Sequence, residues 1–165
     1  KSSIVSTFQS YNGTSGYINP ITGEAQVNSL IPKTGYPATT CHEMAHQIGW
    51  AAENDANFIS FLTSINNEDL YFKYAGYRMA YQYCIKELFK RDKELAKSLK
   101  EKVNKGVYKD YKDSYNFWKS YENPIEPYLK KGYNSYLKAN NQTKGISSYS
   151  YVVDLLIAYF EKHQL

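Results

Sequence analysis

The chain has 165 residues, 42% of them hydrophobic, and a net charge of +4. That is enough for one globular domain whose core closes without a disulfide or structural metal. The lysines between Lys86 and Lys112 alternate with acids, which marks solvated helix faces and excludes a nucleic-acid-binding stripe; no apolar run reaches membrane-spanning length.

Residues 1–36 have strand and turn texture. Ser3-Ile4-Val5-Ser6-Thr7-Phe8 has strand composition, and Gly13, Gly16, Pro20 and Gly23 punctuate short extended pieces. In Glu24 to Leu30, alternation sets Ala25, Val27 and Ser29 on one side, which predicts a half-exposed or edge strand able to pair with an extended peptide. Pro32 and Pro37 end it. From Thr39 onward the pattern is helical, with helices expected at 39–48, 52–65, 68–90, 92–103, 107–120, 125–140 and 148–163. Gly49, Asn66-Asn67, Gly106, Pro124 and Gly145 mark the breaks. Val152, Val153, Leu155, Leu156, Ile157 and Phe160 make the last helix apolar on more than one side, as a helix buried in a bundle would be. The expected fold class is α+β, mostly α: a single domain over 1–165, β-rich over 1–36 and helical over 37–165. The start at Lys1 rather than Met, inside a patterned segment, leads us to expect a fragment of a longer protein. The eighteen tyrosines offer apolar area with a polar tip, for a core or a groove. Cys41 and Cys84 are isolated, too few for a zinc knuckle, and assign no redox compartment.

The chemistry concentrates in TTCHEMAHQIGWAAENDANF, residues 39–58, which holds two of the three histidines. On an α-helix advancing about 100° per residue, His42, Glu43 and His46 fall within one sector, while Cys41, Met44, Ala45 and Ile48 form an opposing apolar face for the core. Imidazoles on successive turns can share one zinc ion, and the glutamate between them can take a proton from water activated there. A third protein ligand is required. On a continuous helix Glu53 would lie about 10 Å from His46 along the axis, too far to share an ion. A left-handed turn at Gly49-Trp50 would bring it back. Asp55, Glu24 and His163, the last near a fraying terminus, are the rival ligands. Asn57, one turn beyond Glu53, is placed to accept a hydrogen bond from a ligand imidazole.

H-E-M-A-H-Q-I-G followed by E-N-D-A-N-F resembles the zincin metallopeptidases, specifically the gluzincin pattern of H-E-x-x-H with a downstream E-x-x-A-D/N. Gly23 to Asn28, Pro32-Lys33-Thr34, Tyr74-Ala75-Gly76-Tyr77, Leu137 to Gln142 and Val153 to Tyr159 resemble a bacterial family catalogued as a domain of unknown function, number three-eight-one-zero. The resemblance implies a zincin-like, zinc-binding hydrolytic domain on a membrane-tethered protein, facing away from the cytoplasm. It implies His42, His46 and Glu53 as zinc ligands and Glu43 as general base. Only six residues separate His46 from Glu53, fewer than in the better-known gluzincins. By the same resemblance, Tyr149 is the candidate to stabilise an oxyanion, with a core or capping tyrosine as the alternative. The expected activity is zinc-dependent hydrolysis of peptide bonds, with a peptide or protein substrate. The alternative is a catalytically silent zinc-binding sensor or peptide-docking domain.

Overall fold

The computed structural model describes residues 1–139 and 151–163. In chain order the elements are α1 (Ser6–Tyr11), β1 (Gly16–Ile18), β2 (Ala25–Val27), α2 (Tyr36–Gln47), α3 (Glu53–Ile65), α4 (Leu70–Arg91), α5 (Lys93–Glu101), α6 (Lys105–Ser120), α7 (Glu126–Ala139) and α8 (Tyr151–Lys162). The protein is mostly helical, with one antiparallel two-stranded sheet. Among the described residues no helix is long and apolar enough to cross a membrane.

Helix starts follow from local chemistry. Asp69, Asp92 and Asn104 each accept a hydrogen bond from a backbone N–H in the first turn of the helix they precede, at 2.8, 2.9 and 2.7 Å. Each satisfies an amide that has no partner within the helix. Pro37 sits in the first turn of α2, where its missing N–H costs nothing.

Small residues bring α2, α3 and α4 close together. Ala38, Ala45 and Ala56 are buried, and the Ser60 hydroxyl donates to the Ala38 carbonyl at 2.6 Å, tying α3 to α2. Gly76 on α4 presses against α3; a Cβ there would lie 2.8 Å from that of Ser64. Phe61, Ala80, Val152, Val153 and Leu156 then form the core, closed by α8 against α3 and α4. Removing a ring such as that of Phe61 from such a core costs about 3–5 kcal/mol. On the other side of α4, Arg78 donates to Ser114 of α6 at 2.8 Å and stacks over Tyr111, whose hydroxyl returns a bond to the Arg78 carbonyl at 2.6 Å.

The N-terminal portion departs from expectation. The segment read as a strand over Ser3 to Phe8 joins the sheet only at its first residue, where the Ser3 N–H bonds the Val27 carbonyl beside a bridge at Ser2, and then becomes α1. Its serines decide this: the Ser6 hydroxyl bonds the Ser3 carbonyl and that of Ser10 bonds the Ser6 carbonyl, local bonds that compete with a sheet ladder. The helix is inverted, with Ser6, Gln9 and Ser10 buried while Phe8 is exposed and neighbouring Ile4 is 97% exposed. Ser10 meets the buried Asn28 side chain, and Ser6 accepts from the Ser29 N–H. β2 ends at Val27, earlier than the alternation suggested, so Asn28 turns inward and Ser29 is exposed. The N-terminal part is therefore less β-rich than its composition implied. On α2, Cys41 and Ala45 are buried as expected, but Met44 (52% exposed) and Ile48 (72%) face outward. The sheet, α3 and α4 cover the other flanks of α2 and leave that one uncovered.

Candidate metal centre

α2 carries His42, Glu43 and His46 and ends in a turn built by Gly49. The Gly49 N–H bonds the His46 carbonyl at 3.0 Å, and the Trp50 N–H bonds the Ala45 carbonyl at 3.1 Å. With φ of 110° at Gly49, this is the Schellman arrangement, in which a glycine in left-handed conformation reverses the chain and satisfies the last carbonyls. α3 begins at Glu53 and runs back along α2. The turn expected at Gly49-Trp50 is present, and it returns Glu53 to the histidines.

The Nε2 atoms of His42 and His46 lie 3.1 Å apart. Glu53 Oε2 is 3.4 Å from the first and its Oε1 is 3.7 Å from the second. A tetrahedral zinc ion with bonds of about 2.0–2.1 Å sets its ligand atoms about 3.3 Å apart. The three side chains match that spacing, and among the described residues they form the one group of histidine, cysteine or acid side chains able to hold a metal. The rivals lie elsewhere. Glu24 pairs with Lys1, Asp55 accepts from Asn54 at 2.7 Å, and His163 bonds the Tyr159 carbonyl and stacks on that ring.

The surroundings bias the site toward positive charge. Burial alone would push the His46 imidazole down. The hydrogen bond to Glu53 and its charge, with the Trp50 carbonyl and Glu43, raise it above the ordinary histidine range. Nδ1 of His46 lies 2.7 Å from the Trp50 carbonyl, which fixes that nitrogen as the donor and leaves Nε2 free to coordinate. Sequence reasoning did not find this contact, although the G-W after the motif helix was its signal.

Nδ1 of His42 has no such partner. Asn57 is buried one turn beyond Glu53, but the expected bond to a ligand imidazole is not formed: its Nδ2 is also unpartnered. Neither group is hydrogen-bonded to the other. Tyr149 lies outside the described residues. A tyrosine that was not anticipated, Tyr83 on α4, stands near Glu53: burial first, then the Glu53 charge, pushes its hydroxyl up to about 12.

Glu43 is 6% exposed. Burial holds its carboxyl above the ordinary range, against the attraction of His42 and His46 and with the repulsion of Glu53. The Gln47 side chain, on the same flank of α2, donates to the Gly23 carbonyl at 3.0 Å and anchors the hairpin over this side of the helix.

One family model spans nearly the whole chain: the family described as "Protein of unknown function (DUF3810)" matches residues 1–157. The chain belongs to the DUF3810 family. No curated protein and no solved structure matches it. For this DUF3810 member, then, function has to be read from the side chains themselves.

Proposed function

We propose that this protein is a zinc-dependent metallopeptidase of zincin type, with His42, His46 and Glu53 as ligands. The observation that carries the reading is the convergence of two Nε2 atoms and one carboxylate at ligand spacing, beside a second, uncoordinated glutamate. A zinc ion there would supply Lewis acidity, acidifying water and polarising a carbonyl. Glu43 would accept the proton and pass it to the leaving amine, the relay of a positioned general base. His46, oriented by the Trp50 carbonyl, and Glu53, carried on the first turn of α3, hold the ligand set rigid.

The sheet supports a peptide as substrate, on a different edge from the one expected. β2 is paired on both sides: with β1, and with residues 1–3 through Ser3 to Val27 and Val27 to Lys1 bonds of 2.8 Å each. Among the described residues the outer edge of β1 is unpaired. The Asn28 to Ser15 and Asn19 to Glu24 bonds set the phase of the ladder, so the backbone groups of Gly16 and Ile18 point away from β2. An extended peptide can add to such an edge, and here it would run beside Glu43.

The reading includes a membrane-tethered parent protein with this domain outside the cytoplasm. Elemental analysis of protein purified without chelator, followed by a peptide-library digest with the zinc-loaded form, tests it. One zinc per chain with cleavage supports it. Zinc without cleavage favours the silent sensor or docking domain, and no zinc removes both.

A further inference from the structure

Glycine within a strand weakens it, having no side chain to pack and the most freedom to lose. Gly16 opens β1, yet its backbone does not call for glycine: the positive φ angles among the described glycines are at Gly13, Gly23 and Gly49. What distinguishes Gly16 is the side chain against it. A Cβ at this position would lie 2.5 Å from Glu43 Cγ, 2.6 Å from Oε1 and 2.7 Å from Cδ. Real Cβ atoms do not approach other heavy atoms so closely, and the obstacle is the carboxylate itself. β1 cannot lift away to make room without cost. Val27, the cross-strand partner of Gly16, is buried at the sheet–α2 contact, and Gln47 ties the hairpin turn to α2.

We infer that Gly16 is a positioning residue for Glu43: the missing side chain is the space in which the Glu43 carboxylate rests, and the strand backbone is the wall that holds it on the imidazole side of α2. The inference rests on the reading of Glu43 as general base and goes further, because it makes the strand receiving the substrate the same element that sets the base. No bond is made or broken by Gly16; it acts through Glu43 alone.

A double-mutant cycle tests this without any substrate. Thermal unfolding is compared for the parent, Gly16→Ala, Glu43→Ala and the double variant, all metal-free. Gly16→Ala should lower Tm by several degrees in the parent and lose most of that penalty once Glu43 is replaced by alanine. Failure of Gly16→Ala alone to fold, with the double variant folded, supports the same conclusion. An equal penalty in both backgrounds, or a double variant that does not fold, overturns it. The second measurement uses the zinc-loaded protein and an internally quenched peptide library. Gly16→Ala should keep one zinc per chain and a KM within about twofold while kcat falls about a hundredfold, as a displacement of about an ångström does. A raised KM with kcat intact would assign Gly16 to strand docking and overturn the positioning role. If the parent cleaves nothing, the peptidase reading fails, and the thermal cycle still decides whether Gly16 places Glu43.

Discussion

The backbone carbonyl of Trp50 lies 2.7 Å from Nδ1 of His46, so a residue of the α2–α3 turn also orients a candidate ligand. Turn geometry and ligand geometry are therefore one property. Gly49 holds φ at 110°, and any side chain there is strained by about 1–2 kcal/mol. Gly49→Ala should lower Tm and weaken zinc binding together, because a displaced Trp50 carbonyl no longer fixes the His46 ring. Isothermal titration with zinc beside thermal unfolding checks both; a loss of Tm with unchanged zinc affinity would uncouple them.

Zinc should stabilise the folded chain with the logarithm of its concentration, by about 2.7 kcal/mol at a hundred times its Kd. His42→Ala and Glu53→Gln should each abolish most of that stabilisation, since two ligands are a poor site. Differential scanning calorimetry across a zinc series, with a chelated control, gives the comparison. Persistence of the full shift in Glu53→Gln would remove Glu53 from the ligand set.

Glu43→Gln separates chemistry from stability. Hydrolysis should fall by about 10²–10⁴-fold, the contribution of a positioned general base, with zinc retained. In the metal-free protein the same change should raise stability at neutral pH. Burial raises the Glu43 carboxyl, so its ionised form opposes folding; the protonated form, favourable below the unfolded value of 4.5, is lost as pH rises through the folded one. The gain from Glu43→Gln should accordingly shrink as pH falls into the ordinary carboxylate range. Chemical denaturation at several pH values measures it.

Nδ1 of His42 and Nδ2 of Asn57 are both buried without a partner. If reversal of the Asn57 amide supplies an acceptor to the His42 N–H, then Asn57→Leu should cost about 10–100-fold in zinc affinity. An unchanged affinity would leave Asn57 as packing between α2 and α3. Competition against a chromophoric chelator resolves changes of that size.

Tyr74, Tyr81 and Tyr83 are each pushed up to about 12, by burial first, aided at Tyr74 by Asp110, at Tyr81 by Tyr108 and at Tyr83 by Glu53. In the unfolded chain they ionise near 10. The stability they contribute is complete below pH 10 and is lost as pH rises through about 12. Alkaline titration followed by tyrosinate absorbance should show these rings ionising only with loss of helical circular dichroism.

Much of this architecture was readable in advance where periodicity and punctuation agreed. The helices from α2 to α6 and the reversal at Gly49 follow from apolar spacing, capping residues and one glycine. The site was legible for the same reason: the three candidate ligand side chains depend on two helices and a short turn. The sequence misled where burial was polar. Ser6 and Ser10 point inward because Ser29 and Asn28 provide bonds, and no local pattern announces a partner eighteen or more residues away. Met44 and Ile48 read as core because helical phase shows which residues share a face, not which neighbour covers it. Gly16 over Glu43 is likewise a tertiary contact, invisible to either segment alone.

The brevity of β1 has a consequence for how the protein behaves in bulk. A strand with its outer amides unclaimed is a template on which copies of a chain can stack into aggregates. Three residues, one of them glycine, provide too short and too weak a rail for that growth. A transient guest can align there and leave, while the fibril-forming habit that a longer edge would invite is denied a foothold.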